Sequence, residues 1–188
     1  SLEPRVALAL NGITPEGDLY EWIDNEVFGG NLGRSKVKTL TLSIIYGMSL
    51  HSARSGYGNV SASQKKKLRL MFSVDETTKR LLSIPESELR NYFGRPIFPS
   101  SRENTFNAFI QSTAVDAAML GFQEVISRLK AAGECRPLFL IHDEIICDVS
   151  SKVSSNAKKI FSDGIKINFN NKMIDFPVTV EKISVKCS

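Results

Sequence analysis

Cysteine is scarce: Cys135, Cys147 and Cys187 are the only three among 188 residues. They are odd in number, far apart and never in a C-x-x-C pair. That argues against a disulfide framework and against a thiolate zinc site. A reducing compartment, and with it a cytoplasmic location, is the default expectation. Long apolar runs are missing too, and none reaches the ~20 residues a membrane helix requires. The N-terminus lacks a basic-then-apolar leader pattern, so nothing points to secretion. No internal repeat or low-complexity tract is present. Neither charge sign dominates: 24 Lys+Arg stand against 20 Asp+Glu, a net charge of +4. Such an excess permits an anionic partner without requiring one. What remains is ordinary globular composition, 42% hydrophobic and 23% charged, on a chain long enough for one or two domains.

Leu2, Val6, Leu8 and Leu10 give an apolar stretch that stops at Asn11-Gly12, a helix-ending signal. "TPEGDLYEWIDNEVFGG" reads as a short helix with an exit at Gly29 and Gly30. Asn31 is positioned to cap the next helix, which should run to about Tyr46. That helix carries Val37, Thr39, Thr41, Ile44 and Ile45, whose β-branching gives poor intrinsic propensity. Tertiary packing must hold it. "HSARSGYGNVSAS" reads as a loop, and "SQKKKLRLMF" as a helix with one basic face. "NYFGRPIFPS" looks like a turn with short strands and a bend at Gly94. A long helix is predicted from Asn104 to about Ala132, two short strands after it, and a surface helix within "SSKVSSNAKKIFSDGIKI". "FPVTVEKISV" reads as a closing strand. Helices outnumber strands and the strands come late, so the class is α+β. Trp22, Phe28 and Phe93 read as core.

The stretch "LFLIHDEIICDV" sets His142, Asp143 and Glu144 between two β-prone runs. A tight hairpin fits, with these residues at its tip and the flanking strands buried. A carboxylate in apolar surroundings either shifts its pKa upward or finds a cation. Mg²⁺ is one such cation, since it takes oxygen ligands and substrate phosphates. The competing reading is an acidic pair facing water.

In "RSKVKTLTLSIIYG", Arg34, Lys38, Leu42 and Tyr46 recur every four residues. Each step of four drifts only ~40° around a helix, so they form one slowly turning stripe. Two cations lie near the positive helix N-terminus, then an aliphatic residue, then a phenol beside a glycine. This face suits a triphosphate at one end and a sugar and base at the other. A solvated cationic face is the alternative.

These segments together resemble the family A DNA polymerases. "RSKVKTLTLSIIYGMS" resembles their motif B, R-x-x-x-K-x-x-x-F-x-x-x-Y-G, and "HDE" resembles motif C. "SLEPR" resembles the tail of motif A, D-x-S-x-x-E-x-R. "NAFIQSTAVD" is similar to N-A-P-x-Q-G-T-A-A-D, and "FGRPIF" to the family's G-R turn. The order and rough spacing match across essentially the whole chain. The resemblance implies a right-hand polymerase: fingers helices plus a partial palm with an antiparallel hairpin carrying H-D-E. Residues 1–14 would be the end of motif A and the following palm helix, 15–90 the fingers, and 91–188 the later palm.

By the same resemblance, Arg34 and Lys38 would bind the phosphates of the incoming dNTP. Lys38 would also protonate the leaving pyrophosphate. Leu42 would lie against the sugar and Tyr46 near the nascent pair. Glu3 would hydrogen-bond Tyr46 and exclude a ribose 2′-hydroxyl. Asp143 would be the catalytic metal ligand, with Glu144 near the metal site and His142 positioning the primer end. Asn107, Gln111, Arg95 and Arg102 would face the primer–template. Minor-groove acceptors recur at every base pair, so neutral donors there sense pair geometry without reading sequence. The cluster Lys65, Lys66, Lys67 and Arg69 would either approach the template backbone or form a soluble surface helix.

Three departures from the family pattern matter. Leu42 replaces an aromatic residue. Glu103 stands where the family often has a cation, beside Arg102. The motif A aspartate is absent; counted back from Glu3, it would precede Ser1. The expectation is therefore a two-metal Mg²⁺ site completed by an N-terminal polymerase fragment in a heterodimer. This would be one half of a split, phage-type enzyme acting in the host cytoplasm, with no membrane partner. Two alternatives are a single-subunit RNA polymerase fragment and a non-catalytic DNA-binding subunit. Glu3 and the H-D-E string favour DNA over RNA. The intact Arg34, Lys38, Tyr46 and Asp143 favour catalysis over binding alone.

Overall fold

The computed structural model describes residues 2–47, 60–133, 135–141 and 144–183. They form two compact units, Ser1–Ala114 and Val115–Ser188. Helices and two small antiparallel hairpins make the class α+β, as the sequence predicts.

In the first unit, helix α1 (Leu2–Leu10) buries Val6, Ala7, Leu8 and Ala9. Helix α2 (Leu19–Ile23) is capped by Asp18, whose Oδ1 accepts the N–H groups of Tyr20 (2.9 Å) and Glu21 (3.1 Å). The chain then widens into a π-helical turn, Asp24–Phe28, that ends at Gly29 with φ 69°. Helix α3 (Arg34–Ile45) follows. Asn31 does not cap it, contrary to expectation. Its carboxamide turns back and donates to Phe28 O and Gly29 O. The buried carboxylate of Asp24 takes the N–H groups of Leu32 (3.1 Å) and Gly33 (2.8 Å) instead. Helix α3 itself has no side-chain cap; the two peptide N–H groups on one carboxylate hold the loop that leads into it.

Helix α4 (Ala62–Met71) starts with a capping box of Ser61 and Gln64, and α5 (Val74–Leu82) follows it. The strands expected in "NYFGRPIFPS" reduce to one bridge between Arg90 and Pro96. Asn91 organises this turn. Its Oδ1 accepts from Phe93 N and Arg95 N, and its Nδ2 donates to Ser112. A short 3₁₀ turn, Arg102–Asn104, leads into α6 (Thr105–Ala132). The core of this unit gathers Leu8, Ile23, Leu40, Ile45, Leu68 and Phe72. Phe28 belongs to it, whereas Trp22 and Phe93 are only half-buried.

In the second unit, α6 buries Ala117, Phe122, Val125 and Leu129. Strand β1 (Cys135–Ile141) pairs antiparallel with β2 (Glu144–Val149), in a register that puts Ile141 opposite Glu144. The ladder slips between Pro137 and Phe139, where proline lacks the N–H to continue it. Helix α7 (Ser154–Ser162) precedes a second hairpin, β3 (Ile165–Phe169) and β4 (Lys172–Phe176). Its two-residue turn holds Asn170 and Asn171 at φ 52° and 63°, the left-handed geometry that tight hairpins need and asparagine tolerates. Gly164 has φ 75°, and a Cβ there would stand 2.7 Å from Phe176 O. No strand forms over residues 177–183, so the closing strand expected in "FPVTVEKISV" is displaced to β3–β4. Among the described residues, no helix is long and apolar enough to cross a membrane.

Candidate functional site

Helix α3 divides cleanly by face. Val37, Leu40, Thr41, Ile44 and Ile45 are buried, at the spacing of one helical face. This burial compensates for their weak propensity. Arg34, Lys38 and Tyr46 are exposed on the other side, and Leu42 is half-buried there. The four-residue stripe read from the sequence is thus the outward face of α3. Its C-terminal part lines an open concavity of about 530 Å³ with Lys38, Thr39, Leu42, Ser43, Tyr46 and Gly47.

The two ends of the stripe are tied to other elements. At the far end, the Tyr46 hydroxyl donates to Glu3 Oε1 at 3.5 Å. The contact joins α3 to α1 across 43 residues of sequence. At the near end, Arg34 Nε and Nη2 both reach Asp18 Oδ2, at 2.9 and 2.8 Å. The guanidinium also lies over the Tyr20 ring, 5.6 Å from its centroid. Burial pushes the Asp18 carboxyl upward. The Arg34 hydrogen bond and the N–H groups of Glu21 and Tyr20 outweigh it and hold the group below the usual carboxylate range. Arg5 Nη2 donates to Gly17 O at 2.7 Å and braces the turn just before Asp18.

The hairpin acids sit differently from expectation. Glu144 is not at the tip; it is the first residue of β2, exposed and paired with Ile141. His142 and Asp143 lie outside the described residues. The flanking strands are not buried either. Leu138, Phe139, Leu140 and Ile141 are all exposed, Phe139 by 64%. Two strands alone cannot cover both of their faces. Among the described residues, no three His, Cys, Asp or Glu side chains cluster. A magnesium site is therefore not complete within them.

The expected DNA-facing residues are spread over the first unit. Gln111 is exposed on α6. Asn107 is half-buried, and its Oδ1 has no hydrogen-bond partner among the described residues. Arg95 reaches Ser112 O at 3.2 Å, so one arm of its guanidinium lies on the α6 backbone. Arg102 and Glu103 are exposed in the 3₁₀ turn. The basic cluster is not a single outward face. Lys65 is buried, Lys67 donates to Glu26 O, and Arg69 pairs with Asp75. Lys66 is exposed.

Sequence reasoning passed over Asp18, Asp24 and Arg5. The signal for Asp18 was present, since an acid just before an apolar run is a helix-start pattern. Nothing local could show that its second oxygen reaches Arg34. Cys135 and Cys147 are free thiols. Burial, with Cys135 alongside, pushes the Cys147 thiol up to about 12.

No family model matches the chain, and no curated protein matches it. Among solved structures, it is similar to the POL domain of Pol1 from M. smegmatis in complex with DNA primer-template and dNTP. The TM-score is 0.64 at 17% identity, over 95% of this chain and 37% of that one. The likeness establishes a shared fold, and the chain spans little more than a third of that domain's length.

Proposed function

We propose that this chain is the fingers and later palm of a template-directed DNA polymerase of family A type. The observation that carries the reading is the outward stripe of α3. Arg34, Lys38, Leu42 and Tyr46 line one face, and its far end is tied to Glu3. The shared fold supports it. Arg34 and Lys38 bind the dNTP phosphates by charge-assisted hydrogen bonds. Tyr46 lies beside the nascent pair, and Asn107, Gln111, Arg95 and Arg102 contact primer–template. Asp143 holds a Mg²⁺ ion, with Glu144 beside it and His142 at the primer end.

The second carboxylate of that ion site is the motif A aspartate, carried by an N-terminal partner chain of a split, phage-type enzyme. The exposed Leu138–Ile141 strand is the surface this partner covers. Apolar side chains exposed on both faces of a strand mark a contact surface rather than a solvent-facing one. The test is primer extension by the two polypeptides combined. Incorporation that depends on both chains and on the template supports the reading. A folded complex that binds primer–template yet adds no nucleotide refutes it.

Glu3 carries a further expectation. Its carboxylate, held by Tyr46, sits where a 2′-hydroxyl would have to enter. Glu3→Ala should raise ribonucleotide incorporation relative to dNTP on the order of tenfold or more. Competition between the matched ribo- and deoxynucleotide measures this ratio, and an unchanged ratio removes the sugar-gate role.

A further inference from the structure

We infer that Asp18 is a positioning residue for nucleotide binding: it fixes the Arg34 guanidinium so that its free edge faces the triphosphate. The inference rests on the reading of α3 as the nucleotide face. Asp18 divides its two oxygens between two tasks. Oδ1 caps α2 through Tyr20 N and Glu21 N. Oδ2 accepts both Nε and Nη2 of Arg34. A guanidinium has five N–H donors in a rigid fork. The grip on one edge uses Nε and one arm, which leaves the Nη1 edge open. The Arg34 side chain is 53% exposed, so a phosphate reaches that edge without breaking the pair.

Three contacts fix the group. The Asp18 oxygen sets its edge, the Tyr20 ring sets its plane, and Arg5 on Gly17 O steadies the turn that carries Asp18. A long, flexible arginine would otherwise lose much rotamer freedom on binding. Pre-organisation removes part of that loss.

Charge alone predicts the opposite. Asp18 is an anion beside an anionic ligand, so deleting it should tighten binding if simple attraction governed. The sign of the effect therefore discriminates. Asp18→Asn is the informative variant, because asparagine caps helices as well as aspartate does. Its carboxamide keeps the α2 cap and turns an NH₂ group toward Arg34, where no acceptor remains.

The experiment measures dNTP KM and kcat in primer extension by the full polymerase containing this chain. It compares wild type, Asp18→Asn, Arg34→Ala and the double variant, with thermal unfolding of each. Asp18→Asn should raise the dNTP KM about tenfold, change kcat by less than about threefold and leave unfolding near wild type. The double variant should match Arg34→Ala, because Asp18 acts only through Arg34. An unchanged or lowered KM in Asp18→Asn, or losses that multiply in the double variant, would overturn the inference. If Arg34→Ala itself leaves the dNTP KM unchanged, the nucleotide-face reading fails and the role of Asp18 falls with it. A clear Arg34 effect without an Asp18 effect removes only the role of Asp18.

Discussion

Replacing Asp143 with alanine is expected to lower primer extension by at least about a thousandfold while leaving primer–template affinity within about threefold. Asp143 lies outside the described residues, and the role proposed for it rests on the resemblance of "HDE" to motif C of the family A DNA polymerases. The structure supports the setting: β1 and β2 form the hairpin, and only His142 and Asp143 separate Ile141 from Glu144. Phosphate contacts dominate affinity for nucleic acid, and a turn carboxylate contributes none of them. Extension and binding should therefore separate. Gel-based extension and a fluorescence binding titration on the same preparation test this. Extension within about tenfold of wild type would remove Asp143 from the chemistry.

Lys38→Ala is expected to reduce kcat/KM for dNTP by about a hundredfold to a thousandfold. Lys38 is exposed, one turn beyond Arg34 on the outward face of α3, and lines the open concavity with Leu42 and Tyr46. In the proposed reading, an ammonium there would meet developing negative charge on the leaving pyrophosphate. Lys36 provides the control. It is also exposed on α3 but lies off the stripe, so Lys36→Ala should stay within about threefold. Equal losses from the two substitutions would mean that bulk charge, not position, governs binding.

The stripe was legible because a four-residue repeat is a geometric statement about helices, whatever the tertiary context. The buried face of α3 was legible only in part: Val37, Thr41, Ile44 and Ile45 are buried, but Thr39 is exposed and Leu40 joins the core. The first hairpin was legible in place but not in burial. Apolar β-prone residues predict a covered strand, and Leu138–Ile141 are exposed. Composition cannot say whether the covering surface belongs to the same polypeptide. The contact that holds the loop leading into α3 was not legible. Asp24 reaches Leu32 and Gly33 across a loop, and such a contact leaves no periodic or local signature. Asn31, the residue a local rule selects, is diverted to Phe28 O and Gly29 O.

The second hairpin illustrates a different failure. Asn170-Asn171 is a turn signal between two alternating runs, and β3 and β4 form around it. The alternation in "FPVTVEKISV" is equally regular, yet residues 177–183 form no strand. A period of two marks a segment that fits a sheet, but a partner strand with matching register decides whether it joins one. Lys65 follows the same logic. Three adjacent lysines look like one solvated face, but a helix turns 100° per residue, and α4 packs with Lys65 inward.

The most direct measurement is single-nucleotide addition to a primer opposite each of the four template bases, with each dNTP offered separately. If the proposal holds, the chain combined with a polypeptide that supplies the motif A carboxylate should add the complementary dNTP in every case, and this chain alone should add none. Addition that ignores the template base, or templated addition by this chain without the upstream polypeptide, would contradict the account.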